Sequence, residues 1–240
     1  MTGFFITGTD TGVGKTWFTA RLCRYLRELG IRAGVWKPIQ SGTCGNDPAS
    51  DSARLKRGAG VDDDVDDICK FSLKSPLAPM VAAALEKKKV SCDDLMASSE
   101  LLFRKYDLML VEGVGGFAVP LNSKELMSDF AVRLNFPVIV MASPGLGTVN
   151  HTLLTVEAIR RRGLQVAGVV LNGYDTEPLR VNDWEELIHG TIISDSSQTN
   201  PLLIEQFAEV DVVGMIPTMN DDDEFKRYVN VKRILNTLKH

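Results

Sequence analysis

Short, almost wholly apolar runs alternate along this chain with longer stretches in which apolar residues recur every three or four positions. The runs are Phe4–Thr7, Ala33–Trp36, Leu108–Val111, Val138–Ala142, Val166–Leu171 and Val212–Ile216, and two of them, LMLV and VIVM, are apolar at every position. A strand apolar on both sides must be covered on both faces, as in a parallel sheet with helices above and below. The longer stretches predict a helix from about Lys15 to Leu29, with Leu22, Tyr25, Leu26 and Leu29 on one side and Gly30 as its stop. A second helix is predicted over Thr148–Arg162, with Leu153, Val156 and Ile159 on one side and Gly163 as its stop. Strand followed by helix, repeated, specifies the α/β class and a doubly wound, mostly parallel sheet.

Composition narrows this further. A chain of 240 residues that is 44% hydrophobic and 24% charged fits a single domain over residues 1–240, able to bury a sizeable core. Its net charge of −4 provides no global basic field, so neither nucleic acid nor an anionic membrane is the expected partner. The longest uncharged stretch, Leu134 to Val156, is broken by Pro137, Pro144, Asn150 and His151, and no transmembrane helix is expected. The opening Met1-Thr-Gly-Phe-Phe-Ile lacks the basic flank and apolar stretch of an export signal, which predicts a cytoplasmic protein. Cys23, Cys44, Cys69 and Cys92 are widely spaced and read as free thiols. The charge runs Asp62–Asp64, Lys87–Lys89 and Asp221–Glu224 lack the ligand spacing of a calcium loop and read as solvated surface. His151, His189 and His240 are scattered, and no Ser-His-Asp arrangement can be picked out.

Three segments carry candidate chemistry. After the first strand comes Gly8-Thr9-Asp10-Thr11-Gly12-Val13-Gly14-Lys15-Thr16, and then the first helix. Glycines let backbone N–H groups turn onto phosphate oxygens, the helix N-terminus adds its positive end, Lys15 is placed to reach the outer phosphates, and the Thr16 hydroxyl can ligate Mg²⁺. The spacing departs from GxxxxGK[ST] by one residue, because Thr9 stands where the first glycine is usual. Strand, loop and helix together predict the P-loop NTPase fold and nucleotide binding.

The second segment, Lys37-Pro38-Ile39-Gln40-Ser41-Gly42, puts a lysine at the C-terminal end of the second strand, the edge where open α/β sheets bind ligands. A second cation there would stabilise charge on a transferring phosphoryl group. The third is Val111-Glu112-Gly113-Val114-Gly115-Gly116, an apolar strand ending in a carboxylate placed to reach Mg²⁺. Asp51 could supply another metal oxygen, although by pattern alone it reads as the N-cap of a following helix.

In this order the segments resemble the dethiobiotin synthetase family. The likeness takes in the loop at Gly8–Thr16, KPIQSG at Lys37–Gly42, Ser50-Asp51, VEGVGG at Val111–Gly116, Pro144 to His151, Val170-Leu171-Asn172 and Gly214-Met-Ile-Pro217. The resemblance implies that ATP and Mg²⁺ close a cyclic urea on 7,8-diaminononanoate with CO₂, through a carbamate and its anhydride with phosphate, in a cytoplasmic homodimer. It implies Lys15 and Lys37 as catalytic cations and Thr16, Asp51 and Glu112 as Mg²⁺ ligands. Gly12, Val13, Gly14, Lys15, Thr16, Asp51, Glu112, Gly113, Val114 and Gly115 would hold the phosphates and their metal. Asn172 would contact adenine, with Ile216, Pro217 and Thr218 bordering the base. Thr11 and Ser41 would lie near the diamine and its carbamate, and Leu146, Gly147, Thr148 and Asn150 would hold the substrate from the partner subunit. Two departures stand out: Met80 occupies a position where the family often has histidine, and Gly173 follows Asn172 where a polar residue is common.

The alternative within the P-loop superfamily is a regulatory ATPase of the partitioning or metallochaperone type. Such proteins often carry an additional lysine early in the loop, and here Thr9-Asp10-Thr11 contains none. An amidating synthetase would usually bring a glutaminase domain, for which the chain has no spare length.

Overall fold

The computed structural model describes residues 2–44, 47–175, 195–218 and 224–239. His189, His240 and Asp221–Asp223 of the acidic run lie outside the described residues.

Six parallel strands form the central sheet: β1 (Thr2–Gly8), β2 (Ala33–Trp36), β5 (Leu108–Gly116), β6 (Val138–Ala142), β7 (Val166–Tyr174) and β8 (Val212–Pro217), in the order β2-β5-β1-β6-β7-β8. All six were legible as apolar runs, and β2 and β6 keep the boundaries the pattern predicts. The others run further. β5 continues through Glu112 to Gly116 because Glu112 pairs with Ile6 and Gly116 with Gly8 of β1, so backbone pairing carries the strand past its last apolar side chain. Strands β3 (Ile39–Ser41) and β4 (Phe71–Leu73) form a separate two-stranded parallel sheet that is too short to show a period in sequence.

Alternation along the strands divides the core in two. Phe5, Val111, Val138 and Val140 point into one cluster, closed by Ala82 and Ala83 of α4 (Pro79–Leu85), Leu95 of α5 (Cys92–Ala97), Leu102 of α6 (Glu100–Lys105), Phe130 of α7 (Met127–Leu134), Val156 and Ile159 of α8 (Thr148–Arg161), and Ile204 of α9 (Asn200–Ala208). Phe4, Ile6, Leu110 and Ile139 point into the other, closed by Phe18, Leu22 and Leu26 of α1 (Lys15–Glu28), Leu55 of α2 (Asp51–Ala59), Ile68 of α3 (Val65–Ile68), Phe225 of α10 (Phe225–Tyr228) and Ile234 of α11 (Val231–Asn236). Burial on both faces is why these strands are apolar throughout. The two helices predicted from periodicity, α1 and α8, begin where expected and each end one residue early. Among the described residues no helix is long and apolar enough to cross a membrane.

Candidate active site

The phosphate loop is shaped by two glycines in the left-handed region, Gly12 at φ 74° and Gly14 at φ 89°. Gly14 is also the N-cap of α1 and offers no side chain to the helix's first N–H groups, which remain directed at the loop. A Cβ on Gly14 would collide with the Asn172 amide, whose Nδ2 donates to the Val13 carbonyl at 3.2 Å. Thr9 N–H donates to Met141 O of β6 at 2.9 Å, and Lys15 Nζ donates to Asp10 O at 2.9 Å. The loop is thereby tied to β6 and β7 and closed on itself.

Lys37, just beyond β2, lies deep beside this loop. Its Nζ is 2.5 Å from Glu112 Oε1 and 3.0 Å from Asp51 Oδ2, and it donates to Gly113 O at 3.2 Å. Thr16 Oγ1 donates to the same Glu112 Oε1 at 2.8 Å, while Glu112 Oε2 is buried with no hydrogen-bond partner among the described residues. Asp51 does not cap α2. Ser50 does, its hydroxyl accepting from Ala53 N–H at 3.2 Å, and Asp51 as first helical residue turns its carboxylate to Lys37. Gln40 fixes this start of α2 by donating to Ser52 Oγ and accepting from Ser52 N–H, both at 3.0 Å.

Burial and charge set the protonation of these groups. Burial disfavours the Lys37 ammonium, but Glu112 and Asp51 outweigh it and hold the amine above its usual range. Lys15 has no such close carboxylate, so burial, reinforced by the neighbouring Lys37 charge, lowers it to about 8. Burial also works against the charge on Asp51, yet the Lys37 ammonium beside it prevails and holds the carboxyl low. Glu112 is pushed up by burial against the pull of Lys37.

A cavity of 310 Å³ opens over these groups, lined by Thr11, Gly12, Gly14, Lys15, Thr16, Lys37, Ser41, Asp51, Glu112, Val114 and Gly115. The three segments singled out in sequence therefore meet at one place. Trp17 and Arg54 line the same cavity and were missed. Trp17 follows Thr16 directly, and Arg54 lies one helical turn beyond Asp51, so neighbourhood to the motifs was the only signal. Val13 and Gly113 stand behind the wall and act through backbone carbonyls, Val13 O towards Asn172 and Gly113 O towards Lys37.

Asn172 and the 216–218 segment lie at adjacent strand ends, Asn172 opposite Ile216 and Tyr174 opposite Pro217, with Thr218 N–H donating to Tyr174 O at 2.7 Å. The Ile216 side chain is in the core. Leu146 and the N-cap Gly147 lead into α8, Thr148 and Asn150 lie in its first turn, and none of the four lines the cavity. Asn200 of α9 donates to Pro144 O at 2.7 Å and holds the approach to that helix, Leu146 is 93% exposed, and the Thr148 hydroxyl is buried without a partner among the described residues.

Comparison with known proteins bears on this arrangement. A family model described as an AAA domain matches residues 2–224. The ATP-dependent dethiobiotin synthetase of Bacillus licheniformis is 36% identical over 245 residues, covering 100% of this chain and 98% of that protein. The ATP-dependent dethiobiotin synthetase of Bacillus thuringiensis (strain Al Hakam) is 38% identical over 242 residues, covering 98% of this chain and 93% of that protein. Among solved structures, the MinD cell division protein of Aquifex aeolicus aligns over 100% of this chain and 96% of its own, with a TM-score of 0.52 and 16% identity, a likeness of fold alone.

Proposed function

The chain belongs to the ATP-dependent dethiobiotin synthetase family, and from that premise we propose that residues 1–240 work as one P-loop cyclo-ligase domain that closes a cyclic urea on 7,8-diaminononanoate with CO₂, ATP and Mg²⁺. The observation that carries the reading is the convergence of Lys15, Thr16, Lys37, Asp51 and Glu112 on one cavity, with Lys37 buried yet held cationic.

One amine of the substrate adds to CO₂ and loses a proton, giving a carbamate. A carbamate oxygen attacks the γ-phosphorus of ATP, the bond to the bridging oxygen breaks, and ADP leaves. The second amine then attacks the carbonyl of the mixed anhydride, expelling inorganic phosphate and a proton as the ring closes. No protein nucleophile is needed. Positioning the second amine makes ring closure intramolecular, and Lys15 and Lys37 stabilise the charge that moves between carbamate, γ-phosphoryl group and leaving oxygen.

The donors around Thr16 fit Mg²⁺. The unpartnered Glu112 Oε2, the Thr16 hydroxyl and the Asp51 carboxylate are hard oxygens gathered at one edge of the cavity. These three residues would hold the ion, which when bound neutralises charge on the outer phosphates. The backbone of Gly12–Thr16, with Val114 and Gly115 opposite, would cradle the phosphates, with Gly113 backing Lys37. Asn172 beside Ile216, Pro217 and Thr218 would border the base, and Thr11 and Ser41 would meet the carbamate.

The start of α8 lies outside this cavity, so its part in holding substrate requires a second copy. Leu146, Leu154 and Phe207, all exposed apolar residues, support a homodimer. Cys23, Cys44, Cys69 and Cys92 are unpaired, which suits the reducing cytoplasm. The net charge of −4 favours small-molecule partners over nucleic acid or a membrane surface.

The test is ADP release measured with diamine, CO₂ and Mg²⁺ each omitted in turn, together with entry of labelled carbon into the cyclic urea. ADP formed equally fast without diamine or CO₂ would sink the synthetase reading in favour of a regulatory ATPase.

A further inference from the structure

Beside the nucleotide cavity, a groove of 280 Å³ runs between α1 and α2, lined by Thr16, Trp17, Ala20, Arg21, Arg24, Arg54, Arg57 and Gly58. The basic residues come as two pairs at helical spacing, Arg21 and Arg24 on α1 facing Arg54 and Arg57 on α2, so guanidinium groups from two helices bound one concavity. For Arg24, Arg54 and Arg57 the local neutralisation among the described residues is slight. Arg24 has no side-chain hydrogen bond or ion pair among the described residues. Arg54 has Asp51 as its acidic neighbour, and that carboxylate is committed to Lys37. Arg57 Nη1 donates to Pro48 O at 2.7 Å, which holds its guanidinium in place while leaving its other donors free of that bond. Arg21 lies over the Trp17 ring with its guanidinium carbon 6.0 Å from the centroid.

Like charges brought together on a folded surface repel one another, and an anion held between them removes that cost. Arginine forks match the tetrahedral oxygens of phosphate bidentately. Four of the groove's eight lining residues are arginines, so it suits a compact anion. Thr16, Trp17 and Arg54 belong to both the groove and the nucleotide cavity, so the two are contiguous.

We propose that the α1–α2 groove is a second phosphate-binding site, separate from the phosphate loop, that holds an inorganic phosphate ion beside bound nucleotide. Its source is the phosphate expelled at ring closure, passed along the shared wall of Thr16, Trp17 and Arg54. That assignment of source rests on the proposed function, whereas binding of the ion does not.

The experiment saturates the protein with Mg²⁺ and a β,γ-imido analogue of ATP, which fills the phosphate loop and the γ-position, and then titrates inorganic phosphate at constant ionic strength. Calorimetry and ³¹P line broadening report binding. One phosphate is expected per chain. Arg24→Gln/Arg57→Gln should weaken it by about tenfold or more while analogue affinity stays unchanged. Arg24→Gln alone, which breaks no side-chain bond among the described residues, should give part of the same loss and guards against misfolding of the double variant. Absence of phosphate binding to the loaded wild type, or equal affinity in both variants, overturns the proposal. A second analogue molecule bound per chain, with phosphate competing for that molecule alone, identifies a second nucleotide's phosphates as the source and overturns the product assignment. Because neither arginine is part of the reaction site, diamine-dependent ADP release tests the proposed function separately.

Discussion

The Lys37 ammonium lies 2.5 Å from the Glu112 carboxylate across 75 residues of sequence, and neither side chain is more than 2% exposed. A charge buried this deeply is tolerated only with its partner in place, because removing one member leaves the other desolvated and unpaired. The pair therefore supports the fold as well as the proposed chemistry, and the two roles can be separated.

Lys37→Met should lose ADP release and also destabilise the fold by about 3–5 kcal/mol, the usual cost of breaking a buried pair. Lys37→Met/Glu112→Leu, which removes both charges, should recover most of that stability without recovering turnover. Urea unfolding read beside ADP release checks both. Full stability in the single variant would mean that the Thr16 hydroxyl and the nearby Lys15 ammonium suffice to compensate Glu112.

Lys15 makes nucleotide binding depend on pH. Its amine is lowered to about 8, so the free protein carries the ammonium below that value and loses it above. Phosphate oxygens favour the ammonium, so Mg·ATP should bind more weakly as pH rises past that point and should take up a proton on binding there. Calorimetry one unit above it should give heats that differ between buffers of different ionisation enthalpy, and one unit below it the heats should agree. Lys15→Met should abolish the difference. Without nucleotide the sign reverses: between about 8 and the ordinary 10.5 the unfolded chain holds the proton that the folded chain has released, so this group makes stability rise with pH.

Gly14→Ala should weaken Mg·ATP binding by about tenfold or more while leaving the far-UV spectrum intact, since the new Cβ meets the Asn172 amide in a left-handed backbone. Adding Asn172→Ala removes the collision but not the backbone strain, about 1–2 kcal/mol, so recovery should be partial. Fluorescent nucleotide titration distinguishes the outcomes, and no recovery at all would assign Asn172 a direct role in holding nucleotide.

Phe130 is fully buried, edge-on to Trp36 with ring centroids 5.5 Å apart and to Phe5 at 6.3 Å. Phe130→Ala should lower stability by about 3–5 kcal/mol, visible as a fall in denaturant midpoint at constant slope. The KM for ATP should change little, because the cavity left behind lies on the α7 side of the sheet, across from α1.

A light-scattering mass that corresponds to two chains at assay concentration is expected, and Leu146→Asp should shift it towards one chain. Full activity in a monomer would exclude a substrate site shared between subunits.

Local pattern was enough for the strands of the main sheet, for α1 and α8, and for the phosphate loop, because each depends on residues close in sequence: apolar runs wanted on both faces, a helical period, glycines at the turn. It was also enough to single out Lys37 and Glu112 as candidates, since each ends an apolar run. It could not say that they touch, because that contact is made by β2 pairing with β5, and the register Trp36 to Val111 is a property of two distant segments. Asp51 shows the same limit. Its sequence suits a helix cap, and only the packing of α2 against Lys37, with Ser50 taking the cap, turns the carboxylate into the site. Trp17, Arg54 and the arginine groove carry no motif at all. They arise where two helices separated in the chain by β2 and β3 lie side by side, and helix packing is settled by the whole core beneath them.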